Sequence, residues 1–450
     1  DKQGNTHHKK MWIRVIITAI IGRFVMVLGL ERLVVLTLFV SLPFSLELLI
    51  YSNSKMTLPS EAILLVLFFT FLFNALQFPP EKLFKVKTYW SHYSLLFSSL
   101  FFIGVIAFTS VFSTMPIVSV KFLLVNLLFL SVGLGYTFLL LQQQKINLRE
   151  VLLAITIGLV LVVLYVLAKT TVMGFGRGVA PALPKPFFND HTHLAAALLL
   201  VIPLVFYLWK TEQKVHYKRG FLLAFIVFIV GLVITYSRAS WMGGVVMLAM
   251  VFIWHFKVKK EIVLALSLMV LIILAFNKST LESYFQINRN DSNSSESGVG
   301  EQIKSVTNIT SDVSNLERLN RWKCAVRMGL EKPIFGYGPG TYQFQYLPFQ
   351  RKNELTRISV KSPYYIKEGR GGTAHSEYLL SFSESGWLGL ISWFFLIFSV
   401  VFSYFRIVLK SSNKETILLA QAILAGLVGF FIHAFFNNFL FSFFVTEFFF

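Results

Sequence analysis

Arg238 lies between two apolar stretches, in Tyr236-Ser237-Arg238-Ala239-Ser240-Trp241. A guanidinium at membrane depth is costly unless it is paired, snorkels or meets water. Snorkelling at the boundary would account for it. So would an anion clamp facing a cleft, because the planar fork matches phosphate oxygens. Arg318 and Arg321 stand farther along, and Arg318 precedes Trp322 by one helical turn, so those two share a face. Arg beside an aromatic suits a phosphorylated, lipid-linked headgroup; a solvated helix face is the plainer reading. Arg177, in Gly174-Phe175-Gly176-Arg177-Gly178, is compatible with phosphate contact. His375, in Ala374-His375-Ser376-Glu377-Tyr378, is either a hydrogen-bonded structural histidine or a general base near neutral pH. Glu377 shares a side with it only if the chain enters extended.

Other polar groups gather nearby in the order of the chain. Asn189-Asp190-His191-Thr192-His193 opens an apolar stretch, and Asp190 is placed to cap the helix. The histidines there lack His-Glu-x-x-His or another clean ligand spacing, so no metal is expected. His433, Asn437 and Asn438 fit either packing or ligand contact. Glu384 needs a partner if it lies near a span. Gly336, Gly338, Pro339 and Gly340 form a tight turn where backbone can approach a ligand. Phosphate-loop, dinucleotide and serine-elbow motifs are lacking.

The elements that must position these groups are membrane helices. Of 450 residues, 55% are hydrophobic and 14% charged, with 48 Phe, and mean hydropathy is +0.67. Soluble chains carry about 25% charged residues. Apolar stretches at 33–51, 60–78, 93–111, 117–141, 149–168, 190–209, 219–236, 240–256, 260–276, 383–405, 416–433 and 436–450 predict twelve spans. The fold class expected is an all-α polytopic membrane protein. Residues 1–276 hold nine spans, 277–382 one large, partly helical outer segment, and 383–450 the last three.

The net charge of +19 would suggest nucleic acid in a soluble protein. Here it falls in short basic segments at 80–90, 142–149, 210–219, 257–260 and 406–414, which mark cytoplasmic loops, so no nucleic-acid partner is expected. Parity holds if 11–32, with Arg14, Arg23, Glu31 and Arg32, is an interfacial amphipathic helix. Both ends of the chain are then cytoplasmic. No cleavable leader pattern is evident, and the first span is expected to direct insertion. A single cysteine, Cys324, leaves no intramolecular disulfide or thiolate cluster.

In the outer segment, 277–315 reads as a loop or lid. A helix is predicted from Leu316 to near Lys332, capped by Ser314 or Asn315. Tyr342, Tyr346, Tyr364 and Tyr365 read as an interfacial patch or a sugar-binding wall. An enzyme acting there lacks cytosolic nucleotides and must use a donor that arrives activated; a lipid diphosphate-linked sugar meets that need.

Tyr236–Trp241, Arg318-Leu319-Asn320-Arg321-Trp322, Pro333–Gly340 and Ala374–Leu379 running to Glu384-Ser385-Gly386 resemble, in that order, the O-antigen ligase and polymerase superfamily. The likeness spans roughly 185–390. It implies a GT-C-like layout in the bacterial inner membrane, facing the periplasm. It implies that Arg238 and Arg318 hold the diphosphate of an undecaprenyl-linked glycan and that His375 is the essential histidine. Arg321, Arg177, His191, Glu377, Tyr378, Gly338 and Trp322 complete the expected substrate-binding set. The family usually has Asn after its histidine, where Ser376 stands, and Asn-Pro-Asn where Asn189-Asp190-His191 stands. The implied activity is metal-independent, cofactor-free, inverting transfer to lipid A–core oligosaccharide. A glycan repeat or a protein hydroxyl are alternative acceptors, giving a polymerase or a protein O-oligosaccharyltransferase. A glycolipid transporter would instead carry charges deep inside several spans.

Overall fold

The computed structural model describes residues 20–26, 29–51, 54–77, 90–259, 261–262, 313–356, 358–367 and 371–439. The long helices are α1 (Glu31–Ser41), α2 (Ser60–Gln77), α3 (Trp90–Val111), α4 (Pro116–Gln142), α5 (Leu148–Met173), α6 (His191–Thr211), α7 (Val215–Ile234), α8 (Arg238–His255), α9 (Val313–Glu331), α10 (Glu377–Lys410) and α11 (Lys414–Phe436). Among the described residues, eight are long and apolar enough to cross a membrane: α2, α4–α8, α10 and α11. The apolar part of α3, Leu95–Val111, is shorter. The protein is therefore a largely helical, polytopic membrane protein with a helical region outside the spans. Nine of the twelve expected spans fall on these helices, while 260–276 and 436–450 lie almost wholly outside the described residues.

The expected span 33–51 is not one helix, and the fold is not all-α. Helix α1 ends at Ser41, a 3-10 turn with Pro43 follows, and Leu46–Tyr51 (β1) pairs antiparallel with Ser54–Leu58 (β2), Leu46 opposite Leu58. Pro43 has no N–H to continue a helix. Alternate pairing then satisfies the backbone in a run that hydropathy alone cannot tell from helix. In the 11–32 segment, Ile20–Met26 is a short helix whose Gly22 carbonyl accepts from Thr70 Oγ1 of α2. Of the expected loop or lid at 277–315, residues 277–312 lie outside the described residues, and 313–315 already belong to α9.

Helix starts follow their capping residues. Asn147 and Glu150 form a reciprocal box at α5. Asp190, Ser237, Ser376 and Asn413 cap α6, α8, α10 and α11. At the centre, α6 is buried along most of its length and packs against α5, α7, α8 and α11. Glycines permit the closest approaches: a Cβ on Gly243 of α8 would stand 2.5 Å from the Gly429 carbonyl of α11. Such small-residue contacts replace the hydrophobic drive that lipid removes.

Helix α10 packs against α3, α9 and α11 and breaks at Gly386, where φ is +64°. Trp387 N–H donates there to Pro333 O at 2.7 Å. A separate small core gathers Cys324, Ala325 and Met328 of α9 with Tyr337, Tyr342, Tyr346, Ile366 and Ala374.

Candidate functional site

The spans alternate in direction, so the starts of α6, α8 and α10 share one end of the bundle with the finish of α11. Ser237, the cap of α8, approaches His433 Nε2 of α11 at 3.3 Å. The opposite end carries the ion pairs Lys145–Glu31, Arg32–Glu150 and Arg149–Glu212. Arg238, Arg318 and His375 therefore belong to one end.

Arg238 is the first residue of α8, held there by the Ser237 cap. Its Nη2 donates to Asn315 Oδ1 at 3.2 Å. Arg318 Nη1 donates to that same oxygen at 3.2 Å. Two guanidinium nitrogens from helices 80 positions apart in the chain thus lie within twice that distance of each other. Asn315, expected as a cap, instead sits in the first turn of α9, which starts at Val313. Like charges so near each other repel, and an anion whose oxygens lay across both guanidinium groups would offset that repulsion.

His375 has a left-handed backbone, φ +51°. Its carbonyl accepts from Trp322 Nε1 at 3.1 Å, and its N–H reaches Thr373 Oγ1 at 3.5 Å. Arg321 secures the approach to it. Arg321 Nη1 donates to Gly371 O at 2.8 Å and Thr373 O at 3.1 Å, Nε pairs with Glu317 at 3.0 Å, and the guanidinium lies 4.9 Å over the Tyr346 ring. Trp322 packs on Phe435 and Phe436 at the end of α11. Withdrawal from water, then the charges of Arg321 and Arg318, push the His375 imidazole down to about 3; Asp190 and an Asn437 hydrogen bond oppose this. The ring is neutral at physiological pH.

Other polar groups lie at the same end of the bundle. Asp190 Oδ1 and His191 Nδ1 are 2.6 Å apart. Asn437 Nδ2 is 3.3 Å from His433 Nε2, and Thr373 Oγ1 bonds Asn438 Oδ1. Glu377 is buried and accepts from Phe439 N–H, while Tyr378 donates to Phe431 O at 3.1 Å. Arg177 is half-buried in the loop between α5 and α6. Among the described residues, no three His, Cys, Asp or Glu side chains are arranged to hold a metal ion.

The glycine-rich turn makes its close approach to protein. Gly338, at φ +113°, donates to Glu384 O at 2.8 Å, and a Cβ there would collide with Ser113 of the α3–α4 turn. The Glu384 carboxylate accepts from Gly340 N–H at 2.8 Å and Tyr342 N–H at 2.9 Å. Those two amides are the partners its position demanded. Of the four tyrosines read as a wall, Tyr342 and Tyr346 are buried and stacked 5.2 Å apart, whereas Tyr364 and Tyr365 are exposed. Buried Tyr342 and Tyr346 cannot serve as a surface, because the small core under α9 needs their rings.

The structure brings Arg238, Arg318 and His375 to one end, with Arg321 and Trp322 bonded to the segment that carries His375. Asn315, expected only as a cap, is a guanidinium partner, and of the two roles open to His433 and Asn437 the structure shows packing and a contact with each other. No curated protein matches the chain. The family model described as O-Antigen ligase matches residues 223–394, a stretch that holds Arg238, Arg318, Arg321, Trp322, Gly338, His375, Glu377 and Tyr378.

Proposed function

We propose that this chain is an inverting glycosyltransferase that moves a glycan from undecaprenyl diphosphate to the lipid A–core oligosaccharide, on the periplasmic side of a bacterial inner membrane. The observation that carries the reading is the meeting of Arg238 and Arg318 on one Asn315 oxygen, beside a neutral His375. The match to the O-antigen ligase model over this region supports the same reaction class.

In this reading the donor diphosphate lies across the two guanidinium groups. As the bond from the anomeric carbon to the phosphate oxygen breaks, the electron pair leaves with undecaprenyl diphosphate. The arginines stabilise that charge, so the reaction needs no metal. The acceptor hydroxyl attacks the anomeric carbon from the opposite face and inverts it. Its proton passes to His375. The starts of α6, α8, α9 and α10 add their partial positive charges near the same place. Arg177, His191, Glu377, Tyr378 and Gly338 shape the surroundings, and Arg321 and Trp322 hold the His375 segment.

The test is transfer by purified protein in liposomes, with a lipid diphosphate-linked glycan donor at saturation. Replacing Arg318 with Ala should lower kcat by about 10²–10³-fold, and His375→Ala should do the same. Near-wild-type transfer by folded Arg318→Ala protein would end the proposal. Deleting the gene separates acceptors: loss of all long surface chains with accumulation of lipid-linked chains marks a ligase, and surviving single-repeat products mark a polymerase.

A further inference from the structure

Positions 347–367 hold five cations, Arg351, Lys352, Arg357, Lys361 and Lys367, and one carboxylate, Glu354. That carboxylate is engaged within the protein, pairing with Arg327 at 2.7 Å and Lys323 at 3.3 Å. Arg351, Lys352 and Lys361 are exposed. Gln350 Nε2 donates to Val360 O at 3.2 Å, which brings the chain beside Arg351 next to the chain beside Lys361. Tyr364 and Tyr365 follow in the short helix Pro363–Lys367 and are 65% and 48% exposed. The reaction described above uses none of these side chains.

The next residue faces inward. Ile366 is buried in the small core, and a Cβ on Gly371 would stand 2.9 Å from its Cδ1. Gly371 O in turn accepts from Arg321 Nη1. Four residues lead from Gly371 to His375, a reach of at most about 14 Å. The exposed tyrosines are therefore anchored to the segment that carries His375. Membrane topology does not call for cations here: basic residues are retained on the cytoplasmic side, and the basic turns lie at the opposite end of the bundle. Lipid insertion is not served either, because among the described residues of 347–367 Ile358 is the one exposed large aliphatic side chain. Exposed rings beside cations suit an acidic sugar chain. A ring face covers the C–H face of a pyranose, while Lys and Arg take phosphate or carboxylate oxygens.

We infer that Arg351, Lys352, Lys361, Tyr364 and Tyr365 seat the acceptor, and that the acceptor is an acidic glycan bearing phosphate or carboxylate groups. The acceptor role rests on the glycosyltransferase reading; the binding of an acidic saccharide does not. The seat is built from other residues than the arginines assigned to the donor, so it acts through acceptor affinity.

The experiment uses the full chain in nanodiscs of zwitterionic lipid. Calorimetry measures binding of three lipid-free probes: a phosphorylated core oligosaccharide, an oligogalacturonide and a neutral maltoheptaose. Wild type should bind one or both acidic probes at least about tenfold more tightly than the neutral one, and added salt should weaken that binding. Combined Arg351→Gln, Lys352→Gln and Lys361→Gln should remove the preference and the salt dependence. Combined Tyr364→Ala and Tyr365→Ala should weaken every probe. In transfer assays the triple variant should raise acceptor KM at least about tenfold, with donor KM and kcat at saturating acceptor within about twofold. Thermal midpoints near that of wild type show that each variant is folded. Equal binding of acidic and neutral probes by wild type, or equal binding of the acidic probe by wild type and triple variant, overturns the inference. So does a fluorophore on Tyr365→Cys, in a Cys324→Ser background, that nitroxide-labelled lipid quenches, since the patch then rests on the membrane. An unchanged acceptor KM in the triple variant, when His375→Ala is inactive, overturns the acceptor role and leaves the glycosyltransferase reading standing. Wild-type transfer by His375→Ala would instead defeat that reading, and the acidic-saccharide site would be judged by calorimetry alone.

Discussion

At the scale of single residues, Arg318 and Arg321 are three positions apart yet do different work. Arg321 is buried, pairs with buried Glu317, and donates to the Gly371 and Thr373 carbonyls and the Tyr346 hydroxyl. Removing one partner of a buried pair leaves the other charged and unsolvated. Arg321→Gln should therefore cost about 3–5 kcal/mol, seen as a lower midpoint in thermal unfolding. Arg318 is only half-buried and shares an uncharged oxygen with another cation. Arg318→Gln should leave the midpoint nearly unchanged while transfer collapses. Equal destabilisation by both would show that Arg318 is structural. His375 adds a pH prediction. In the free protein, withdrawal from water and then Arg321 and Arg318 hold its imidazole near 3, against Asp190 and Asn437. Its acid limb in kcat/KM, which reports free enzyme, should therefore lie well below the ordinary histidine value of about 6.5. A diphosphate between the arginines cancels part of their field, so the limb in kcat should lie at higher pH. In Arg318→Gln the kcat/KM limb should also rise, because a cation that disfavoured the imidazolium is gone. Coincident limbs in wild type would count against the diphosphate lying beside His375. The stability link has the matching sign. The unfolded chain takes up a proton near 6.5 that the folded ring refuses, so folding weakens as pH falls from there toward 3.

At the scale of elements, the knuckle of Pro333–Tyr342 against α10 explains what sequence could and could not disclose. Gly336, Gly338 and Gly386 all have positive φ, and each stands where a side chain would strike backbone or Ser113. Gly338→Ala should thus destabilise the knuckle on two grounds, strain and collision, by more than about 1 kcal/mol. Limited proteolysis should cut 333–341 faster in that variant. Unchanged protection would mean the α3–α4 turn can give way. The Gly-Pro-Gly pattern announced a tight turn, but the partner it meets comes from α3, α4 and α10, distances in sequence that no local pattern spans. The same limit hid Asn315. Its type and place suggested a helix cap, a local role, whereas Arg238 reaches it from another helix. Hydropathy located α2 through α8 and α11 well, because length and apolarity are what lipid demands of a span. It failed at 33–51, where an 11-residue helix of about 16 Å gives way to a strand pair. An apolar run of ordinary length has no periodicity to separate those outcomes.

At the scale of the whole molecule, the two ends of the bundle differ in charge and in chemistry. One end ties α1 and the α4–α5 and α6–α7 turns together with Lys145–Glu31, Arg32–Glu150 and Arg149–Glu212. These are basic turns, the kind retained in the cytoplasm. The other end gathers Arg238, Arg318, His375 and the α9 region. A donor whose glycan has already crossed the membrane must meet its catalyst on the far side from the basic turns. Orientation is therefore a condition of the proposed chemistry, and it can be measured without any substrate. Cys324 is the single cysteine of the 450 residues, so a Cys324→Ser background adds no thiol of its own. In that background Gln213→Cys places a thiol on an exposed turn beside Glu212, and Lys361→Cys places one on the exposed face of the α9 region. In cells whose outer membrane has been made permeable, a charged, impermeant maleimide should label the 361 variant and spare the 213 variant. In inverted inner-membrane vesicles the pattern should exchange. Labelling of position 213 from outside, with 361 protected, would put the arginines and His375 in the cytoplasm. There the diphosphate-linked glycan would lie on the wrong leaflet, and transfer by these residues could not occur however well their geometry fits.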